Sequence, residues 1–126
     1  MPRFDRDPSA SGPVVQGFAA GGFVIDGGVY EALLLTPNRA DGWPAPPPLA
    51  ELKLDDLAPL LALDPAPEFL ILGTGGAMAF APRALVAALE TRGIGVESMD
   101  SRAAARAWGM LRGEGRWIAA AIMPLG

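Results

Sequence analysis

Phe69-Leu70-Ile71-Leu72-Gly73-Thr74-Gly75-Gly76 is an unbroken apolar run stopped by a glycine-rich turn. An apolar run without alternation predicts a strand covered on both faces, as inside a parallel sheet. The residues downstream agree. Pro82 opens a helix that carries Leu85, Val86 and Leu89, and Gly93 stands where a helix C-terminus takes a left-handed residue. Residues 94–99 read as the next strand. Asp100 or Ser101 caps a second helix reaching about Arg112, with Ala104, Ala107, Trp108 and Leu111 on its apolar stripe. Gly113-Glu114-Gly115 turns the chain into a final apolar strand over residues 116–123, stopped by Pro124. The order β-α-β-α-β predicts an α/β fold with residues 69–72, 94–98 and 117–123 in one parallel or mixed sheet covered by helices.

Upstream, residues 14–18 and 23–25 are short β-like runs separated by Gly21-Gly22. Asp26-Gly27-Gly28 supplies the positive-φ residues of a tight hairpin turn. Residues 29–35 return as a strand ended by Thr36-Pro37-Asn38, completing an N-terminal β-meander. Residues 40–48 hold Asp41-Gly42, Trp43 and prolines at 44, 46, 47 and 48. Proline lacks the N–H a ladder requires, so this stretch reads as a stiff surface crossing anchored by Trp43. Asp55 or Asp56 caps a short helix to about Ala62 with Leu57, Leu60 and Leu61 inside. Residues 1–13, with Pro8, Ser9, Ser11, Gly12 and Pro13, read as a flexible arm, and residues 14–126 as a single domain.

Composition removes most familiar chemistries. The 126 residues contain neither Cys nor His, which excludes disulfides, thiol catalysis, Ser-His-Asp chemistry and the commonest metal ligand. No catalytic residue, metal or cofactor is expected. Apolar residues make up 51% and charged residues 19%, too apolar for a disordered chain, yet no apolar stretch approaches the ~20 residues that span a bilayer. The net charge of −4 argues against nucleic acid as a partner. Six of the ten basic residues nevertheless lie from Arg83 onward, so the last third is mildly basic. That asymmetry suits a solvated helix face or contact with an acidic partner. Residues 1–15 carry no apolar signal core, and Asp5 and Asp7 are foreign to a mitochondrial presequence, so the expected location is cytoplasmic.

Two candidate sites emerge. Gly73, Thr74, Gly75 and Gly76 end a buried strand, at the edge where open α/β sheets hold ligands; glycine lets backbone N–H groups approach a phosphate or carboxylate. No Gly-Lys-Ser/Thr follows, and Met78 occupies the third glycine position of a dinucleotide fingerprint, so neither phosphate-binding motif is present. The turn is either an anion site or a tight strand-to-helix connection. The second candidate is the pair Arg102 and Arg106, which emerge at i, i+4 on one helix face. They are either paired internally with Glu97 or Asp100, or left for a partner or ligand. Glu114 and Arg116 read as a structural ion pair, and Trp108 and Trp117 as core.

Leu70-Ile71-Leu72-Gly73-Thr74-Gly75, Pro82, Gly93-Ile94-Gly95-Val96-Glu97-Ser98-Met99-Asp100-Ser101, Gly113-Glu114-Gly115-Arg116 and Ala119-Ala120-Ala121-Ile122-Met123-Pro124 form an ordered set. Together with Gly22-Phe23-Val24-Ile25, Tyr30 and Trp43, this set resembles the Mth938-like (DUF498-type) family, whose relatives include mitochondrial complex I assembly factor 3. The resemblance implies a single three-layer α/β domain with a central mixed sheet and a side β element. It also implies a non-catalytic interaction protein, with respiratory-chain subunits as the partner class and membrane association only through that partner. Where the family usually shows Ala-Cys-Arg-Thr-Tyr-Asn, this chain has Ala104-Ala105-Arg106-Ala107-Trp108-Gly109. Arg106 and the aromatic survive, while the thiol and amide are gone. The resemblance therefore singles out Arg106 as the partner-contact residue, with Arg102 beside it. The alternative is a small-molecule or anion binder, or a minor enzyme, using Gly73 to Gly76 with Arg106.

Overall fold

Asp26 (φ 48°) and Gly27 (φ 83°) both take left-handed backbone, so the chain reverses in the tight hairpin that Asp-Gly-Gly predicts. The hairpin lies within an antiparallel sheet of β1 (Gly17–Ala19), β2 (Gly22–Ile25) and β3 (Gly28–Tyr30). The computed structural model describes residues 12–126. Of the expected arm, residues 1–11 fall outside that range. Pro13 is held at its carbonyl by the Trp108 indole N–H at 2.8 Å.

The strand expected over residues 29–35 is two strands in two sheets. β3 stops at Tyr30, and β4 (Leu33–Leu35) begins after a crossing at Glu31-Ala32. Leu33, Leu34 and Leu35 are all buried, which requires cover on both faces, whereas Val29 in β3 is 51% exposed. Only the central sheet offers that double cover. A second correction concerns the proline-rich crossing. Its first residues, Ala40–Gly42, form β5 and pair antiparallel with β4. They precede the prolines and keep their N–H groups, so they can zip onto an edge. Trp43 N–H donates to the Ala32 carbonyl at 3.0 Å before Pro44 ends the pairing, and the Trp43 ring is buried as expected.

A 3-10 turn over Leu54–Leu57 leads into α1 (Ala58–Leu61), with the Asp56 carboxylate accepting the Lys53 N–H at 2.9 Å. The β-α-β-α-β half follows: β6 (Phe69–Gly73), α2 (Arg83–Thr91), β7 (Gly95–Met99), α3 (Ser101–Gly113) and β8 (Ala119–Ile122). Gly93 (φ 78°) ends α2 as predicted, its N–H donating to the Glu90 carbonyl and that of Ile94 to the Leu89 carbonyl, both at 2.9 Å. Asp100 caps α3, its carboxylate accepting the Ala103 N–H at 2.9 Å.

The central sheet is mixed, in the order β5-β4-β8-β6-β7. β6 pairs in parallel with β7 and β8, and β4 pairs antiparallel with β8. The three strands expected to share a sheet therefore do. Strand alternation sorts side chains into two cores. Leu34, Leu70, Leu72, Ala119 and Ala121 pack toward α1, α2 and Trp43. Leu33, Leu35, Ile71, Ala120 and Ile122 pack toward α3 and the small sheet through Trp108 and Phe23. The molecule is thus three layers, with α2 and α3 on opposite faces. No helix among the described residues is long and apolar enough to cross a membrane.

The buried stripe of α3 is Ser101, Ala104, Ala105, Trp108 and Arg112. Ala107 and Leu111, expected inside, are only partly buried. The helix is rotated by about one residue from the sequence reading because Gly73 admits Ser101 to the sheet.

Candidate functional site

The glycine turn is built around Ser101. A Cβ on Gly73 would lie 3.0 Å from both Ile122 Cγ2 and Ser101 Oγ and 3.1 Å from Ala104 Cβ, so only glycine lets α3 approach β6 this closely. Ser101 is fully buried. Its hydroxyl accepts the Gly75 N–H at 2.8 Å and donates to the Met123 carbonyl at 2.7 Å, while its own N–H donates to the Gly75 carbonyl at 2.8 Å. One side chain thus ties the ends of β6 and β8 to the first turn of α3. Thr74 is turned to local use as well: its hydroxyl donates to the Ala77 carbonyl at 2.7 Å and accepts the Ala79 N–H at 3.1 Å. A Cβ on Gly76 would meet the Leu125 carbonyl at 2.6 Å. Packing accounts for these glycines. Of the two amides an anion would use, that of Gly75 is already engaged.

The outer face of α3 is differently furnished. Arg102, Arg106 and Met110 recur at four-residue spacing and all three are exposed, Met110 at 65%. The Arg102 guanidinium stacks 5.7 Å from the centroid of Phe18, which in turn meets Phe23 edge-on at 5.8 Å. The Arg106 side chain makes no hydrogen bond or ion pair with another described residue. Of the two alternatives, internal pairing with Glu97 or Asp100 is not formed among the described residues: Asp100 caps the helix, and Glu97 lies exposed on β7.

The structure does not bring Gly73 to Gly76 and Arg106 into one site. Arg102, not Arg106, lines a cleft of about 380 Å³ with Glu31, Pro124 and Leu125, the segment that backs the glycine turn.

Glu114 and Arg116 do not pair either. Arg116 reaches Glu68 instead, with Nε and Nη2 at 2.9 and 2.7 Å from Oε2, and stacks 5.5 Å from the Phe69 centroid. Trp117, expected in the core, is half-buried, its indole N–H donating to the Pro65 carbonyl at 2.7 Å. Trp108 is fully buried as predicted. Arg39, just before β5, and Asp41, in its middle, pair at 2.8 Å, and Asp41's hydrogen bond and charge hold the Arg39 guanidinium above its usual pKa.

Sequence reasoning missed three features. Ser101 and Arg112 both face inward, and Arg112, 2% exposed, donates to the Arg116 carbonyl just past the helix end. Their signal was present: positions 101, 104, 105, 108 and 112 trace one helical face through Trp108. The third feature is a cleft of about 600 Å³ between the small sheet and the β4–β5 turn, lined by Pro13, Gln16, Asp26, Tyr30 and Arg39. Its walls come from separate segments that no local pattern joins. Among the described residues no group of three or more carboxylates gathers to hold a metal ion.

A family model described as a protein of unknown function (DUF498/DUF598) matches residues 15–123. An uncharacterized protein of Rhodobacter capsulatus is 34% identical over 122 residues, 95% of this chain and 92% of the relative. The solution structure of a Bordetella pertussis Mth938-like domain superposes with a TM-score of 0.76 at 27% identity, over 100% of this chain and 93% of that one. The crystal structure of a Bartonella henselae protein described as an outer membrane protein gives a TM-score of 0.80 at 22% identity, over 93% and 98% of the two chains. That last likeness is one of fold alone.

Proposed function

Because this chain belongs to the Mth938-like family, DUF498/DUF598 proteins of unknown function, we propose that it is a non-catalytic interaction protein using the outer face of α3. The observation that carries this reading is Arg106, an exposed guanidinium with no ion pair among the described residues, set between Arg102 and the exposed Met110. Two cations beside a thioether and Phe18 favour an acidic partner segment carrying an apolar anchor. The absence of His and Cys supports binding over turnover. The family resemblance makes respiratory-chain subunits the first partners to test. The expected location is the cytoplasm, with any membrane association passing through the partner.

Arg106→Ala should weaken capture more than Arg102→Ala. Arg102 already rests on Phe18, whereas Arg106 is uncommitted. Truncating a buried interfacial charge pair costs about 2–5 kcal/mol, while a rim charge mainly changes on-rate and salt dependence. The experiment is affinity capture from native membranes and cytosol with the wild-type chain and both variants, followed by mass spectrometry. A partner lost with Arg106→Ala and retained by a folded control supports the reading; identical capture by all three removes α3 as the surface. The rival, an anion site at Gly73 to Gly76, is left with the Gly76 amide and no arginine drawn in from Arg106.

A further inference from the structure

On the opposite face of the sheet, α2 carries Arg83 and Glu90 against its own dipole, and only its C-cap residue Arg92 stands in favour of it. Arg83 is its first residue and Glu90 lies in its last turn, with no acidic side chain in the first turn and no basic one in the last. A helix favours the reverse, anions at its N-terminus and cations at its C-terminus. Neither Arg83 nor Glu90 forms an ion pair among the described residues, and they stand seven positions apart, too far for a pair along one helix. Between them Val86 and Ala87 line a shallow apolar groove of about 550 Å³, and Phe80, 84% exposed, stands at its head. Arg83, Val86, Ala87 and Glu90 occupy one outward stripe, opposite the buried Leu85 and Leu89.

We propose that this stripe is a self-association face, on which a second copy of the chain seats its own α2 antiparallel. The stripe is self-complementary about a twofold axis between positions 86 and 87. Arg83 of each copy then meets Glu90 of the other, the apolar centres meet, and each Phe80 covers the far end of the opposing helix. The antiparallel arrangement also places each Arg83 by a helix C-terminus and each Glu90 by an N-terminus, which removes the dipole conflict. The face of α3 stays open, so self-association and the partner contact proposed above are independent.

Sedimentation of the full chain from micromolar to millimolar concentration tests this, with added salt as a second variable. The expected result is a monomer–dimer equilibrium that shifts toward monomer as salt screens the two charge pairs. Arg83→Glu and Glu90→Arg should each raise the dissociation constant at least tenfold. The double variant, or an equimolar mixture of the two single variants, should restore association. Each reversal agrees with the helix dipole, so each single variant should melt no lower than wild-type monomer, and weakened association is then not unfolding. Phe80→Ser, which leaves the helix untouched, should also weaken the dimer. A chain monomeric throughout, a dimer indifferent to the single reversals, or a double reversal that fails to restore it would each overturn the proposal.

Discussion

Replacing Ser101 by Ala removes a single oxygen and leaves two buried groups, the Gly75 N–H and the Met123 carbonyl, without the partner each has at 2.8 and 2.7 Å. A buried polar group left without a partner costs about 1–3 kcal/mol, so the pair should cost roughly 2–4 kcal/mol, less than their sum because the Gly75 turn can relax. For a domain near this length each kcal/mol lowers the melting temperature by about 3–5 °C, giving a drop of roughly 6–20 °C. Urea unfolding followed by circular dichroism measures the change, and an unaltered m-value would show that only the native state has been weakened. Hydrogen exchange supplies the local readout: the Gly75 amide should be protected in the wild type and exchange faster in the variant, while β8 amides keep their protection relative to global stability. Arg106→Ala is the control and should shift stability by no more than about 0.5 kcal/mol, since its side chain is exposed and unpaired among the described residues. If Ser101→Ala proves as mild as the control, water reaches Gly75, the turn is open, and its amides are available to a ligand. The structural account of the glycine turn would then fail and the anion site would gain ground.

Gly73→Ala tests the close approach of α3 to β6. Its new methyl would press on Ile122, Ser101 and Ala104 at 3.0–3.1 Å, and overpacking of this kind costs about 1–3 kcal/mol, read from the same urea curves. Stability equal to wild type would mean that the helix shifts away without loss. Phosphate titrated to millimolar concentration should leave the amide shifts of Thr74 and Gly75 in place, because the Met99 carbonyl and the Ser101 hydroxyl already hold those two N–H groups. Saturable, salt-sensitive shifts confined to the turn would contradict that outcome.

How far the fold was legible depends on how local its causes are. Asp26-Gly27, Gly93 and Asp100 act within one turn of backbone, and each does in the structure what its residue type predicts. The run over residues 69–72 announced a strand covered on both faces, because burial on both sides leaves no polar alternation. The split of residues 29–35 was not legible. Val29 to Leu35 reads as one apolar stretch, and only the presence of β8 as a partner for β4 decides that its second half leaves the first sheet. Strand pairing across eighty-odd residues has no signature inside either strand. Arg116 shows the same limit among charges: Glu114 is near in sequence, Glu68 is near in space, and the fold chose the latter.

By itself the amino-acid sequence determined the α/β class, the order of the C-terminal elements, their caps, the family and the chemistries a chain without His or Cys must forgo. Those follow from backbone preferences and residue inventory, which act locally or not at all. The tertiary structure decided what the candidate residues are for. It turned Ser101 inward onto the glycine turn, stacked Arg102 on Phe18 and left Arg106 facing solvent, on the opposite side of the sheet from α2. The rotation of α3 does this, and that rotation is set by the space a missing Cβ at Gly73 opens between two layers, a contact between residues 73 and 101 to which neither local sequence refers.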